Sequence, residues 1–297
     1  MGKFSRTISF LSILLHATHV GAQSDLTAKL IEGAKKEGRF LWYTALNVND
    51  SDMLIKRFEQ KYPFIKGEML RLGSTQLLTK ILTEARTGAF KGDVIEIAGA
   101  LGHILKTNGL LDKYVSAEAA AYPASMKDAD GAWTSFFFNT HVLAYNSRMV
   151  KKEELPNTFE DLLQSKWKGK IALRDDDFDT FGMMLRAMGR DKGLSYMKRL
   201  ASQSVELRKG SSLAIQLIAA GEVPLGVNVY GTRVEEFKKQ GAPIDWVPME
   251  FVIAAIEPLA VAARAPHPNS ARLFVDFLLS KESATLMRDR SRIPSRP

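Results

Sequence analysis

Residues 209–233 combine side chains that can bind a small polar solute with a backbone pattern suited to presenting them. Ser211 and Ser212 stand directly before an apolar helical pattern, and Asn228 and Tyr230 alternate along the strand predicted after it. A serine at a helix start caps the helix, and the free backbone N–H groups there attract anions. Alternation along a strand places Asn228 and Tyr230 on one face. We therefore predict that two hydroxyls, an amide and a phenol face one solute.

Polar side chains of the same kind occur in the first part of the chain. Ser74 and Thr75 stand before a second apolar helical pattern, and Thr44 follows the apolar strand predicted over residues 40–43. Ligands of open α/β sheets bind beyond the carboxyl ends of strands. Thr44, Ser74 and Thr75 are therefore predicted ligand contacts. Asn47 is a further candidate, with a solvated loop as the alternative.

The segment Arg174–Phe181, RDDDFDTF, is the most charged patch of the sequence and follows another predicted strand. Arg174 carries a guanidinium that can grip an oxyanion with two hydrogen bonds. Asp177 and Thr180 are the other predicted ligand contacts of this patch. Glu257, an internal charge in an apolar stretch, is either a solvated carboxylate or a ligand contact.

Two sharper interpretations of this patch require residues that it lacks. The alternating aspartates resemble a calcium loop, but that loop needs glycine where Thr180 stands and glutamate where Arg186 stands. Asp177 and Asp179 also resemble the aspartate pair of phosphatases, whose pattern wants threonine or valine where Phe181 stands. A phosphate-ester hydrolase therefore remains only as the competing class.

Composition excludes several classes of site. The chain has no cysteine, so it has no disulfide, no thiolate metal site, no cysteine nucleophile and no lipidated cysteine. Its formal net charge is +8, but the lysines and arginines are spread along the chain, and no nucleic-acid-binding motif occurs. The excess of positive charge favours anionic solutes.

The first 22 residues have the composition of a cleaved export signal. Lys3 and Arg6 precede an apolar run over residues 8–15, and small residues occupy positions 20–22. Neither this run nor a later one reaches the roughly 20 apolar residues that a membrane helix needs. We expect residues 1–22 to be a signal peptide and the protein to be periplasmic.

Strand and helix patterns alternate through the rest of the chain, which predicts an α/β fold. The long aromatic run Trp133–Tyr145 is suited to crossing between two lobes, and alternation restarts near Lys170. A strongly periodic helical pattern over Pro266–Met287 is expected to pack on the first lobe. The predicted domains are lobe 1, residues 23–135 and 247–297, and lobe 2, residues 136–246.

Four segments together resemble a known family over nearly all of residues 23–297. They are YTAL at 43–46, EARTGAFKGDVIE at 84–96, IAAGEVPLGV at 218–227 and APHPNSARLFVDFLLSKES at 265–283. In order and spacing they resemble the bacterial extracellular solute-binding proteins of ABC importers, family 1, in the branch of ferric-iron-binding proteins. The resemblance implies a type II periplasmic-binding-protein fold, in which two α/β lobes enclose a ligand cleft. It also implies a monomer whose partners are a membrane permease and an ATPase.

One departure from this branch affects the expected ligand. Ferric-binding relatives carry two adjacent tyrosines after an asparagine, whereas here the order is Asn228, Val229, Tyr230. Ferric iron prefers several anionic oxygen ligands, and one phenolate is a poor set. We expect no metal-ligating residue set and no cofactor, and instead a small polar, anionic solute or a chelated metal.

The sequence thus predicts a receptor with no chemistry of its own. A ferric-iron-binding protein is the alternative within the same class. A phosphate-ester hydrolase and a periplasmic sensor subunit are alternatives from other classes.

Overall fold

The computed structural model of the chain describes residues 26–175 and 178–297, without the side chain of Asp179. The predicted signal peptide and Asp177 lie outside the described residues. Ten α-helices occur in the described part: α1 at 26–37, α2 Val48–Lys61, α3 Ser74–Thr87, α4 Gly99–Thr107, α5 Phe178–Met188, α6 Arg190–Ala201, α7 Gly210–Ala220, α8 Gly231–Lys239, α9 Pro268–Leu279 and α10 Lys281–Asp289. None of these described helices is long and apolar enough to cross a membrane.

Ten strands alternate with these helices in the described part of the chain. They are β1 Arg39–Thr44, β2 Lys66–Arg71, β3 Val94–Glu96, β4 Thr134–Asn146, β5 Ile171–Arg174, β6 Glu206–Arg208, β7 Leu225–Tyr230, β8 Ile244–Val247, β9 Ile253–Val261 and β10 Ile293–Pro294. The spatial order is β2-β1-β3-β9-β4-β7-β5-β6, with β8 and β10 also paired to β4.

Two parallel groups of strands are joined by antiparallel strands. β1 is parallel to β2 and β3, and β5 is parallel to β6 and β7. Between them, β9 pairs antiparallel with β3 and β4, and β4 pairs antiparallel with β7. The 13-residue β4 therefore begins beside β9 and ends beside β7 and β8. A strand of this length connects the two groups within one hydrogen-bonded sheet.

Hydrophobic side chains pack into separate cores on either side of this connection. The first core takes its residues from segments 34–137 and 259–287, and the second from segment 142–253. Phe274 of α9 is fully buried in the first core, stacked 4.2 Å from the ring centroid of Phe40 and edge-on to Trp42 and Phe58. The expectation that this helical segment packs on the first group of strands thus agrees with the contacts.

That segment is not one helix, as the periodicity predicts, but two. Ser280 has an extended backbone between α9 and α10, and its side chain accepts a hydrogen bond from the Ser283 N–H. A serine N-cap of this kind starts a new helix. The apolar periodicity continues across Ser280, so the pattern alone does not reveal the break.

The last eight residues, 290–297, form a C-terminal arm along β4. Ile293 and Pro294 pair with Phe138 and Phe137, and the Ser295 N–H donates to the Phe136 carbonyl. The arm is therefore held by backbone hydrogen bonds to the strand that connects the two cores.

Candidate functional site

Arg174 and Tyr230 meet at the carboxyl ends of neighbouring parallel strands. Arg174 is the last residue of β5, and Tyr230 is the last residue of β7. The guanidinium carbon of Arg174 lies 4.6 Å from the centroid of the Tyr230 ring. A guanidinium over an aromatic face can still donate from its edge N–H groups to a planar oxyanion, although Nη1 of Arg174 is itself buried. Arg174 and Tyr230, which the sequence predicts separately as ligand contacts, therefore lie together at this edge.

His141 and Thr180 complete this cluster from two other elements. His141 lies opposite Tyr230 in the β4–β7 ladder, and their rings meet edge to face at 5.1 Å. His141 Nδ1 lies 2.8 Å from the hydroxyl of Thr180 on α5. Both side chains are buried. The cluster of Arg174, Tyr230, His141 and Thr180 is called the basic cluster below.

Ser211 and Ser212 do not cap α7, contrary to the prediction. The helix already begins at Gly210, one residue before Ser211. Its N-cap is Lys209, which makes no side-chain cap bond. Ser211 is buried, and its hydroxyl oxygen accepts a hydrogen bond from the backbone N–H of Tyr230 at 3.3 Å. Ser212 lies exposed in the first turn. Ser211 thus positions Tyr230, and only Ser212 remains open to solvent.

Asn228 changes the local geometry of β7. Its φ is +56°, and its side-chain amide lies 3.1 Å from the sulfur of Met184. This left-handed residue interrupts the alternation, since Val227 and Val229 on either side pack in different hydrophobic clusters. Strict alternation along β7 predicts that Val227 and Val229 share the face opposite to Asn228 and Tyr230, and this prediction is therefore wrong. Asn228 and Tyr230 are both half-buried.

Thr44 and Ser74 face residues 96–98 at the carboxyl edge of the first parallel group. The hydroxyl of Thr44 is fully buried and donates to Glu96 Oε2 at 2.5 Å. The Ser74 hydroxyl accepts from the Ala98 N–H at 3.4 Å. Thr44 donates its only O–H to Glu96, so it can donate to a solute only if that bond breaks. Ser74 uses only an acceptor site in its bond with Ala98, so its O–H can still donate to a solute without a rearrangement of that bond.

The remaining predicted polar contacts of this group have other roles. α3 begins at Ser74 with Gly73 as its N-cap and no side-chain cap bond, so the predicted serine cap is wrong here too. Thr75 is exposed on α3 beside a shallow groove of about 410 Å³. Asn47 is the N-cap of α2, where it accepts a hydrogen bond from the Asp50 N–H. Cap geometry depends on backbone angles that the serine pattern does not specify.

Glu257 is not a solvated loop carboxylate, one of the two predicted alternatives. It lies within β9, is buried, and accepts a hydrogen bond from the Asn139 side-chain amide at 2.8 Å. A hydrogen bond also joins it to Glu96. Burial raises the pKa of Glu96, although hydrogen bonds from Thr44, Leu46, Ala45 and Glu257 act in the opposite direction. A raised pKa lets two buried carboxyl groups share a proton.

Sequence reasoning identifies Arg174, Thr180 and Tyr230 as site candidates, and the structure brings these three together. It misses His141, Glu96 and Asn139. His141 is one of few histidines in the chain and lies on the predicted crossing strand, which is a usable signal. Glu96 and Asn139 carry no such signal, because their importance depends on strands that are distant in sequence.

Metal-binding groups do not cluster among residues 26–175 and 178–297. No group of three or more histidine, aspartate or glutamate side chains is placed there to hold a metal ion. Val229, the residue before Tyr230, is fully buried in a hydrophobic cluster. Tyr230 is therefore the single phenol that β7 brings to this edge.

Several known proteins are similar in sequence to this chain. A sequence profile described as bacterial extracellular solute-binding protein matches residues 98–297. Iron uptake protein A1 of a Synechocystis species is 27% identical over 181 residues, which are 56% of this chain and 50% of that protein. The chain thus matches about half the length of this relative.

Two solved structures have the same fold. AfuA from Actinobacillus pleuropneumoniae, solved with fructose-6-phosphate bound, is 25% identical with a TM-score of 0.78, covering 87% of this chain and 85% of its own. Iron-bound HitA from Pseudomonas aeruginosa is 20% identical with a TM-score of 0.78, and the match covers 87% of this chain and 86% of HitA. The predicted fold, two α/β lobes around a ligand cleft, is thereby confirmed.

Proposed function

Because this chain belongs to the bacterial extracellular solute-binding proteins, we propose that it is the periplasmic receptor of an ABC importer. In this proposal the protein captures a small anionic solute between its lobes and catalyses no reaction. A membrane permease and an ATPase on other chains receive the solute, and residues 1–22 direct export. The proposed lobes are residues 23–135 with 247–297, and residues 136–246. The separate hydrophobic cores support a division into two lobes, but Phe136 and Phe137 pack in the first core and Met249 and Ile253 in the second, on the other side of these bounds.

The observation that carries this proposal is the basic cluster at the carboxyl ends of β5 and β7. Arginine is always charged at physiological pH, and its planar fork matches carboxylate and phosphate oxygens. Tyr230 supports the guanidinium of Arg174 from one side at 4.6 Å, while Thr180 and His141 contribute hydroxyl and imidazole groups. Solutes of open α/β sheets bind at such strand ends.

An anion also fits the affinity that a receptor needs. Micromolar binding corresponds to about 8 kcal/mol, and each hydrogen bond to a charged group contributes about 1.5 to 3 kcal/mol. Four to six such bonds are therefore enough, roughly what the basic cluster and the N–H groups at the start of α7 supply. The AfuA structure holds a sugar phosphate, which supports a phosphorylated or carboxylated solute.

Ferric iron is the second candidate, because iron-related proteins are among the relatives. In this chain it would need oxygen ligands from an accompanying anion, since β7 brings only one phenol to the site. A phosphate-ester hydrolase is the competing class outside transport. Turnover of a chromogenic phosphate ester by the purified protein would support it.

The first test is native mass spectrometry of protein purified without denaturation, followed by calorimetric titration with fructose 6-phosphate, citrate, inorganic phosphate and ferric citrate. We expect an organic anion to travel with the protein and Arg174→Ala to weaken its binding more than about tenfold, since a bidentate charged contact is lost.

The matched control is Arg186→Ala, which removes an equal charge from an exposed position on α5. We expect the control to bind within about threefold of the wild type, because exposed charges are screened. Equal affinities for Arg174→Ala and wild type would exclude Arg174 from the site. A mass increment equal to that of iron would indicate that the bound ligand is ferric iron and not an organic anion.

A further inference from the structure

Arg292, in the C-terminal arm, contacts two helices at once. Its Nε donates to Asp50 Oδ2 at 2.7 Å on α2. Its two other nitrogens reach α8, where Nη1 lies 3.3 Å from the Thr232 hydroxyl and Nη2 lies 3.4 Å from Glu236 Oε1. Arg292 is only 6% exposed and Asp50 is fully buried, so water screens this contact little.

The two helices belong to different hydrophobic cores. α2 contributes Leu54 and Phe58 to the first core, whereas α8 contributes Val234 to the second. The guanidinium of Arg292 therefore spans from one lobe to the other. Its planar fork makes this possible, because one group presents donors in three directions.

The contacted residues also adjoin the cleft side of each lobe. Asp50 lies in the first turn of α2, three residues after its N-cap Asn47 in the loop that follows β1. Thr232 is the second residue of α8 and lies two residues after Tyr230 of the basic cluster. A movement of either lobe that separates these two segments must break the bonds to Arg292.

The arm itself is fixed, so Arg292 has a defined position. Beyond its pairing with β4, the Ser295 and Ser135 hydroxyl oxygens lie 2.6 Å apart. On the other side of Arg292, Arg290 also binds Asp50, through Oδ1 at 2.9 Å. Arg290 has no hydrogen bond to α8 among the described residues, although the charge of Glu236 on α8 also acts on it. It is therefore a control for the hydrogen bonds that bridge the two helices.

We propose that Arg292 is a positioning residue for solute capture, which holds the segments after β1 and β7 at a set separation and so fixes the resting opening of the cleft. This inference goes beyond the proposed function, because it concerns the lobes in the absence of any solute. Removing the bridge shifts the balance between open and closed arrangements, since the bridge stabilises one of them.

Distance measurement on the empty protein tests the proposal. The chain has no cysteine, so spin labels attach only at two introduced cysteines, Thr79→Cys on α3 and Gln216→Cys on α7, both at exposed positions. We expect a narrow distance distribution in the otherwise wild-type protein. Arg292→Gln is expected to broaden it roughly twofold or to shift its centre, because the lobes then sample more arrangements.

Two further variants separate positioning from stability. Arg292→Lys keeps a charge near Asp50 but has no fork to reach both helices, so we expect recovered thermal stability with a distribution as broad as that of Arg292→Gln. Arg290→Gln is the matched control and should leave the distribution narrow. If Arg292→Gln does not fold, the double variant Thr232→Val, Glu236→Gln removes only the α8 side of the bridge.

The proposal is overturned if the bridge variants give the same distribution as wild type and Arg290→Gln, or if Arg292→Lys restores the narrow distribution together with stability. The measurement needs no solute. A failure of the anion-receptor proposal therefore leaves this result intact. A failure of the positioning proposal for Arg292 likewise leaves the anion-receptor proposal intact.

Discussion

A single carboxylate oxygen of Glu96 accepts three hydrogen bonds from the residues that end β1 and follow it. The donors are the Thr44 hydroxyl and the backbone N–H groups of Ala45 and Leu46, at 2.5 to 3.0 Å. Glu257 is also hydrogen-bonded to Glu96, and the side-chain amide of Asn139 donates a hydrogen bond to Glu257. Since a buried polar group must be hydrogen-bonded, this arrangement fixes the loop that leads to Asn47 and α2.

The raised pKa of Glu96 predicts a pH dependence of stability. The ordinary pKa is 4.5, and burial raises the folded value above it. The folded state then holds its proton more tightly than the unfolded state, so this stabilising contribution is complete below the ordinary pKa. It is lost as pH rises through the raised folded value.

We therefore expect Glu96→Gln, which stays neutral, to flatten the decline of the free energy of unfolding as the pH rises above 4.5, the ordinary pKa of this carboxyl group. Urea unfolding at several pH values measures this free energy of unfolding. Glu68→Gln, at an exposed position on β2, is the control and should keep the wild-type slope. Parallel curves for Glu96→Gln and wild type would contradict the prediction.

Single residues are predictable from sequence where chemistry and position coincide. Arg174 and Tyr230 stand at the ends of recognisable strands, and such ends form binding edges in α/β sheets. His141 contacts Thr180 across 39 positions of sequence, so its partner depends on the placement of α5. Ser211 carries the right chemistry, but a backbone contact to Tyr230 replaces the predicted capping role.

Among the elements, α9 contributes most to the first core. Its Phe274 contacts Phe40, Trp42 and Phe58, with ring centroids 4.2 to 5.2 Å apart. These partners come from β1 and α2, near the other end of the chain. The helix therefore joins the amino-terminal elements of the first lobe to a segment near the carboxyl terminus.

Phe274→Ala is expected to lower the free energy of unfolding by about 3 to 5 kcal/mol, because it leaves a cavity among these rings. Chemical unfolding followed by circular dichroism measures the change. Arg288→Ala, at an exposed position on α10, should stay within about 0.5 kcal/mol of wild type. A small loss for Phe274→Ala would mean that the neighbouring rings close the gap.

Elements are predictable from periodicity, but their ends are less so. The alternation of strands and helices and the long β4 follow from the apolar pattern. The starts of α3 and α7 differ from the prediction because Gly73 and Lys209, and not serines, take the N-cap positions. The position of β9 between β3 and β4 is a pairing across more than 100 residues, which local pattern does not encode.

For the molecule as a whole, β4 and β9 make the two cores interdependent. β4 contributes Phe136 to the first core and Leu143 to the second, and β9 contributes Leu259 and Ile253 in the same way. Loss of either core therefore exposes apolar surface on strands that the other core needs.

We expect one cooperative unfolding transition, since neither core has strands of its own to replace β4 and β9. Trp42 lies in the first core and Trp167 in the second. Two variants, each keeping one of these tryptophans and carrying phenylalanine at the other tryptophan positions, report on the cores separately. Coincident fluorescence and circular dichroism curves are expected, and separate midpoints would show that the lobes unfold independently.

The place of β9 in the sheet also determines when the first core can form. β3 has β9 as its neighbour, and α9 covers β1, yet both elements lie in the last fifth of the chain. While the chain is being synthesised, the amino-terminal lobe lacks these parts. We therefore expect the first core to form only after the carboxyl-terminal segment that carries β9 and α9 has been made.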